Sequence, residues 1–452
     1  MTQSDNPKRI VLTTYGSLGD LHPYIALALE LKRRGHHPII ASHPAFRERV
    51  EPLGIGFHPA RPDFPSPDED HEWAMDLTRR AMDARNGAEF VARELFANHV
   101  RDSYADLTEA VRGADLLITH PITFAGPLVA QVTGIRWISS ILSPIVFFSA
   151  YDTLIPPHLA EMAKLFSLLP VPLNRMMQGV ARRMVKPWFE PVEGLRKELG
   201  LPYRGIPIFE GQHSPLMVIA MFSRVLAEPR PDWPPNTHVT GFCFYDKQEA
   251  SNEPVELQPE LKKFLENGKP PILFTLGSSA VWNAGSFYQE SVEAAVKLNE
   301  RALLLIGHEG NRPANLPETC AAFEYAPYGE VMTKVKLVVH QGGVGTTAQA
   351  LRAGRPALFV PFSHDQPDNA WRVRRLGIAR MLTRKQYRAA RVAKEISALL
   401  SDPKVACRAE EVGEIVRGED GPGRASELIE AVLAKDSASV GQREELTYAS
   451  GD

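Results

Sequence analysis

The chain has 452 residues, 44% of them hydrophobic and 23% charged. That is long enough for two or three packed domains and apolar enough to give each a core, which excludes disorder as the main state. With 51 Lys and Arg against 54 Asp and Glu, and a formal net charge of -3, the broad positive field of a nucleic-acid-binding protein is excluded too. Cys243, Cys320 and Cys407 lie far apart with no CxxC pair, which argues against a disulfide framework or a cysteine-rich zinc site and fits a reducing cytoplasm.

Residues 1–9 are polar and lack the apolar core of a signal peptide, so a cytosolic protein is expected. Residues 10–14 read as a buried strand. The run Tyr15-Gly16-Ser17-Leu18-Gly19-Asp20-Leu21-His22-Pro23 then leads into a helix over 21–34, with Ile25, Ala28, Leu29 and Leu31 as its apolar stripe and Gly35 as its stop. Asp20 serves either as a helix cap or as an acid that takes a proton from a substrate hydroxyl, and His22 either as a base or as a packed side chain. His36 and His37 are adjacent and do not share a helical face as HExxH ligands do.

Further strands are expected at 38–42, 116–119, 137–142 and 216–221. Residues 116–135 carry no formal charge, the length of a membrane span, but Pro121, Pro127 and Gly134 among polar residues read instead as strand and short helix. The segments 59–99 and 156–202 break the rhythm and are rich in Met, Phe, Leu and Trp, suiting either a pocket for a hydrophobic ligand or plain helix packing. Asp68-Glu69-Asp70 matches a D-x-D metal pattern but sits in a Pro-rich loop where solvation is the plainer reading. Arg182, Arg183 and Lys186 beside Met184 and Trp188 form either a membrane-touching cluster or a solvated face, the latter being expected.

Prolines crowd 228–259, marking a linker with one short strand at 239–244. Beyond it, strands at 272–275, 303–306, 323–325, 337–340, 357–360 and 379–382 alternate with helical patterns. The expected architecture is therefore α/β, two doubly wound Rossmann-like domains facing across a cleft. Their bounds are 1–235 for the first domain, 236–259 for the linker and 260–420 for the second. A C-terminal helix at 421–435 returns to the first domain, ahead of a flexible tail at 436–452.

The strongest local signal is Val338-Val339-His340-Gln341-Gly342-Gly343-Val344-Gly345-Thr346-Thr347, a strand running through a glycine-rich turn into a helix. Backbone N–H groups and the helix dipole there suit a nucleotide diphosphate, the alternative being an ordinary glycine-rich connection. Gly343, Gly345 and Ala348 also satisfy a G-x-G-x-x-A dinucleotide fingerprint. An NAD-dependent oxidoreductase is thus the second reading, although the fingerprint ordinarily opens its domain and here several strands precede it. Ser278 on the loop after 272–275, and Asp365 and Gln366 on the loop after 357–360, belong to the same sheet edge. Asp365 either reads sugar hydroxyls or caps a helix.

Together these residues resemble the inverting, nucleotide-sugar-dependent glycosyltransferases of the GT-B fold that act on small lipophilic molecules, the plant secondary-metabolite, sterol and antibiotic enzymes. The resemblance covers nearly the whole chain. It runs through Tyr325-Ala326-Pro327, His340-Gln341-Gly342-Gly343, Gly345-Thr346-Thr347, Gly354-Arg355-Pro356 and Pro361 to Asp365-Gln366, with Gly16-Ser17-Leu18-Gly19-Asp20 similar to the sterol and antibiotic branch. It implies that Tyr325 stacks on the base, that His340 to Thr347 with Ser278 hold the diphosphate, that Asp365 and Gln366 bind the donor sugar, and that Asp20 is the base. Three positions depart from the pattern: the diphosphate histidine aligns with Gln341, the ribose-binding glutamate with Gln349, and the aspartate that orients the plant histidine falls near His120. The implied activity is metal-independent inverting transfer of a hexose or deoxyhexose, glucose or rhamnose, from a UDP- or dTDP-sugar to a hydroxyl of a flavonoid, other phenolic, polyketide or sterol. No permanently bound cofactor and no nucleic-acid partner are expected, and membrane association is possible but not expected. A non-catalytic lipophile carrier is the third reading.

Overall fold

The structure is a computed structural model and describes residues 6–65, 70–152, 155–246 and 257–434. Two all-parallel sheets carry the chain. The first runs in the order β3-β2-β1-β4-β5-β6-β7. Its strands are β1 (Arg9–Thr13), β2 (His37–Ser42), β3 (Gly56–Pro59), β4 (Leu116–Thr119), β5 (Trp137–Ile141), β6 (Val218–Ala220) and β7 (Thr237–Val239). The second runs β10-β9-β8-β11-β12-β13, with β8 (Ile272–Thr275), β9 (Ala302–Leu305), β10 (Cys320–Phe323), β11 (Leu337–His340), β12 (Ala357–Phe359) and β13 (Ala379–Met381). In each sheet the strand order reverses beside a central strand, β1 in the first and β8 in the second, leaving a crevice at the carboxyl ends of the strands.

Central strands are apolar on both faces because helices cover both: Ile10, Val11 and Leu12 are fully buried, as are Leu337, Val338 and Val339. Edge strands are less legible. β3, Gly-Phe-His-Pro, is partly exposed along its length and lacks the apolar run expected of a strand. The strand expected at 239–244 forms as Thr237–Val239, pairing at the sheet edge with β6, and the one expected at 323–325 forms as Cys320–Phe323.

The first helix is Leu18–Arg33, three residues longer at its start than the apolar stripe predicts. Ser17 is the reason. Its hydroxyl accepts from the Gly19 N–H, and Asp20 at the third helical position bonds back to the Ser17 backbone, a capping box. Residues 116–135 form β4 and the Gly126–Thr133 helix; no helix among the described residues is long and apolar enough to cross a membrane.

Toward the C-terminus, the Gly421–Ala434 helix places Ala425, Ile429 and Leu433 in one apolar cluster with Ile10 and Leu12 of β1 and with Leu21 and Ile25 of the Leu18–Arg33 helix. Glu430 accepts there from Arg34 Nη1 at 2.9 Å. This helix therefore packs on the first domain.

A buried ionic chain also joins the two sheets' layers. Arg372, on the Gln366–Arg375 helix, donates through Nε to Asp368 at 2.6 Å and through Nη1 to Asp152, from the first half of the chain, at 3.3 Å. Asp152 is held from its other side by Arg230 at 2.8 Å. All three members Asp152, Arg372 and Asp368 keep less than a tenth of their side-chain surface accessible. Removing the shared cation leaves buried Asp368 without its partner and Asp152 with Arg230 alone, so Arg372→Ala is expected to lower stability by about 3–5 kcal/mol, read as a fall in the urea midpoint. A loss below about 1 kcal/mol would instead be the behaviour of a solvated surface pair.

Candidate active site

One wall of the cleft is the β1 exit loop. Gly16 takes φ 117° there, and a side chain at that position would overlap the Asp20 carboxyl. Asp20 Oδ2 accepts from the Ser17 N–H at 2.7 Å and from the Ser17 hydroxyl at 3.0 Å. Its other oxygen lies 3.8 Å from His120 Nε2, beyond hydrogen-bonding distance but close enough for charge to be felt. The Asp20 side chain keeps 32% of its surface accessible, so it faces the cleft. Enclosure by protein raises its pKa, and the Ser17 bonds oppose the rise.

His120 follows β4 directly. Its Nδ1 accepts from the Ile122 N–H at 3.4 Å, which puts the imidazole proton on Nε2, toward Asp20. Burial holds its pKa down at about 3, so the ring is neutral in neutral solution. His22, by contrast, packs edge-on against Tyr245 with ring centroids 5.4 Å apart. Two residues on from Asp20 along the helix, it does not share the aspartate's face.

The opposite wall is the turn after β11. Gly342 takes φ 97°, and a side chain there would come within 2.9 Å of the Gln366 carbonyl, so only glycine fits. Its N–H is not free for a ligand, because it donates to His340 Nδ1 at 3.2 Å. This narrows the expected donor set to the first turn of the Val344–Arg352 helix, whose N–H groups have no intrahelical partner. His340 is fully buried against Phe359 and neutral, its pKa lowered by burial to about 3. It shapes the turn from behind.

Gln341 packs over Gly277, where φ is 65° and a side chain would overlap its amide. That contact joins the glycine-rich turn to the Ser278 loop, where Ser278 is exposed beside the cleft. Buried His340 Nε2, Gln341 Oε1 and Thr347 Oγ1 have no hydrogen-bond partner within the protein. Thr346 is buried on the same turn, and a side chain at Gly345 would sit 3.7 Å from Gly19 Cα. The N-termini of two helices, Leu18–Arg33 and Val344–Arg352, thus meet across the cleft, an arrangement that favours an anion between them.

Asp365 completes the constellation. Its side chain does not cap the Gln366–Arg375 helix; Oδ2 accepts instead from Asn369 Nδ2 at 2.7 Å. Burial pushes its pKa up to about 7, with Asn369 opposing and the negative charges of Asp20 and Asp368 adding to the rise. Gln366 turns inward, its Oε1 accepting from the Phe362 N–H at 2.8 Å, so only its amide NH₂ remains to meet a ligand.

Two residues of the site were not singled out from the sequence. Asn369 donates to both Asp365 and the Gly342 carbonyl and accepts from Ser143 of the first half at 3.1 Å. It lies four residues after Asp365 on the same helix, and that spacing was the available clue. Asp246, from the linker, accepts from Gln349 Nε2 at 3.3 Å and pairs with Arg352, which puts a carboxylate beside the glutamine. Tyr325 stands 60% exposed near this end of the cleft, with the charge of Asp246 acting on it. Of the D-x-D pattern, Asp68 and Glu69 lie outside the described residues, and Asp70 caps the His71–Ala81 helix by accepting from the Trp73 N–H.

Comparison with known proteins identifies the family. Residues 290–431 match the C-terminal domain of erythromycin biosynthesis protein CIII-like proteins, and residues 10–92 the N-terminal domain of glycosyltransferase family 28. Among solved structures, a glycotransferase of kitacinnamycin superposes with TM-score 0.66 at 22% identity, covering 95% of this chain and all of that one. The spinosyn rhamnosyltransferase SpnG, complexed with thymidine diphosphate, superposes with TM-score 0.64 at 16% identity over 94% of this chain and 100% of its own. The fold is therefore GT-B. An O-mycaminosyltylonolide 6-deoxyallosyltransferase of Streptomyces fradiae is 32% identical over 93% of this chain and 97% of its own length. A sterol 3-beta-glucosyltransferase of Leptosphaeria maculans is 26% identical over 92% of this chain, which spans only 28% of that larger protein. The chain belongs to the GT-B glycosyltransferase family, a glycosyltransferase of the antibiotic and sterol type that moves a sugar from a nucleotide donor, and the oxidoreductase and carrier readings fall away.

The raised pKa of Asp365 has a consequence for stability. The folded state holds this proton up to about pH 7, whereas an unfolded aspartate loses it near 3.8, so between these values folding binds a proton and stability falls as pH rises. Asp365→Asn removes that dependence while keeping an acceptor for Asn369. The variant's melting temperature is expected to exceed that of the parent by an amount that grows from pH 4 to pH 8, while its affinity for the nucleotide-sugar, but not for the free nucleotide, drops. A pH-independent difference in melting temperature would mean that Asp365 stays ionised throughout.

Proposed function

We propose that the protein transfers a hexose or 6-deoxyhexose, glucose or rhamnose, from a UDP- or dTDP-sugar to a hydroxyl of a small lipophilic acceptor, with inversion at the anomeric carbon. The observation that carries this reading is the Asp20 carboxylate held in the cleft opposite an anion cradle at a helix N-terminus, with Asp365 near enough to feel the charge of Asp20. Asp20 takes the acceptor proton as the acceptor oxygen attacks the anomeric carbon. The bond from that carbon to the diphosphate oxygen breaks on the opposite face, and the electron pair leaves with the nucleoside diphosphate. The first-turn N–H groups after Gly343, Thr346, Thr347 and Ser278 meet the growing negative charge, and in this reading no metal is called upon. Asp365 and the Gln366 amide hold the sugar hydroxyls, Tyr325 stacks on the base, and Gln349 with Asp246 reaches the ribose.

His120 acts in this scheme as a positioning residue. Its Nε2–H points at the Asp20 carboxylate, supplying a fixed dipole that favours the ionised base without itself carrying charge. The acceptor choice leans toward polyketides and sterols, which the names of the two relatives support; a flavonoid or other phenolic has no such support. A dTDP-sugar is favoured by the thymidine diphosphate on the spinosyn enzyme. Two buried cysteines and one exposed one, none of them paired, support action in a reducing cytoplasm.

Four measurements test the reading. A thermal-shift panel with UDP, dTDP, ADP and NAD is expected to respond to UDP or dTDP, since a ligand at 100 times its dissociation constant adds roughly 2.7 kcal/mol to stability. A response to NAD alone would overturn it. Asp20→Asn is expected to cut turnover by roughly 10²–10⁴ with nucleotide affinity nearly intact; near-normal turnover would remove Asp20 from the role. Because the carboxyl pKa is raised, kcat/KM is expected to fall on acidification at a pH above the ordinary aspartate range, as the base becomes protonated. His120→Gln should lower kcat and move that acidic limb to higher pH, whereas a merely structural role would leave the limb in place.

A further inference from the structure

The Val171–Val185 helix lies against the first domain by its polar side. Asn174 Nδ2 donates to the Ala150 carbonyl at 3.0 Å and Gln178 Nε2 to the Phe148 carbonyl at 2.6 Å, both on the segment that leaves β5. The opposite face is therefore turned outward, and it is apolar. Met176, Val180 and Met184, at i, i+4 and i+8 on one helical face, are 61%, 53% and 71% exposed. This inverts the pattern of a surface helix, whose apolar stripe faces the core. Leu168, just before the helix, is 72% exposed as well.

Charge decides what covers such a face. Residues 162–189 contain five cations, Lys164, Arg175, Arg182, Arg183 and Lys186, and no Asp or Glu, in a chain whose formal net charge is -3. Arg182 is engaged by Glu210, while Arg175 and Arg183 flank the exposed stripe on one side and are themselves exposed. An outward apolar stripe with a basic flank, carried on methionines that adapt to an irregular surface, has the form of a helix lying in a bilayer interface.

We propose that this helix docks the protein on a membrane surface bearing anionic phospholipid, in the plane of the headgroups and without spanning. The aliphatic side chains enter the acyl boundary and the arginines meet the phosphates. The inference stands apart from the transfer reaction, because none of these residues belongs to the cleft.

The test is flotation of the full chain with vesicles of phosphatidylcholine alone and with a third phosphatidylglycerol. The protein is expected to rise with the anionic vesicles, to stay behind with the neutral ones, and to be released as salt is raised from 0.05 to about 0.5 M, where charges are screened within a few ångströms. Met176→Ser/Val180→Ser/Met184→Ser and, separately, Arg175→Glu/Arg183→Glu are each expected to lower binding at least tenfold, with unchanged thermal melting and unchanged turnover on a water-soluble acceptor. Absence of vesicle binding overturns the proposal, as does equal binding to neutral vesicles. So does a dimer in light scattering that these substitutions dissolve, since the face would then cover a second copy of the chain.

Discussion

Two carboxyl groups, Asp20 and Asp365, share one cleft where burial penalises the charge of both, and the charge of Asp20 adds to the cost of ionising Asp365. Such an arrangement persists only when other groups hold both acids in place. The dipoles of two helix N-termini supply part of the compensation, with the first-turn N–H groups of the Val344–Arg352 helix left uncapped by any side chain. Ser17 supplies more, with two donors on one Asp20 oxygen. Asn369 does the same for Asp365, and by gripping the Gly342 carbonyl it ties the acid to the glycine-rich turn. The cleft is thus a strained electrostatic device before any ligand enters it. In the proposed function, a sugar hydroxyl donating to Asp365 and an acceptor hydroxyl donating to Asp20 would each relieve a penalty that the folded chain carries.

Closure of the cleft rests on contacts that cross it. Asn369 accepts from Ser143, Arg372 holds Asp152, and the Ser363 hydroxyl donates to the Asp83 carbonyl at 3.2 Å. Met82, from the first half of the chain, joins the apolar cluster of the second sheet. All four contacts fall on or beside the helix and loop that carry Asp365 and Gln366, or on the core beneath them. The geometry around Asp365 and Gln366 therefore depends on the first domain as much as on the second.

The sequence disclosed the parts of this structure that rest on local rules. Central strands such as Leu337–His340 and Ile272–Thr275 were legible to the residue because burial on both faces demands an unbroken apolar run. The β3 strand was not, since its Gly-Phe-His-Pro sequence owes its conformation to a neighbour rather than to its own pattern. The same division holds in the site. Asp20, Gly342 and Asp365 stand at strand exits and turns, where residue type betrays position. The pairing of Asp20 with His120 and of Gln349 with Asp246 brings together residues about a hundred positions apart, and no spacing rule reaches that far.

His120 illustrates what geometry adds to resemblance. A histidine base needs a carboxylate behind it, because the imidazolium formed on proton transfer must be stabilised and its tautomer fixed. Here the carboxylate itself faces the cleft and the histidine stands behind, its proton placed on Nε2 by the Ile122 N–H. The order is reversed, and the demand on the second residue reverses with it. An aspartate base needs no tautomer fixed and becomes neutral on accepting a proton, so a charged helper would over-stabilise its ionised form and weaken it as a base. In the proposed scheme a neutral imidazole, kept so by burial, favours the ionised carboxylate through its dipole alone, a weaker pull on the pKa than a full positive charge would exert. That leaves the base closer to the pH at which it must work.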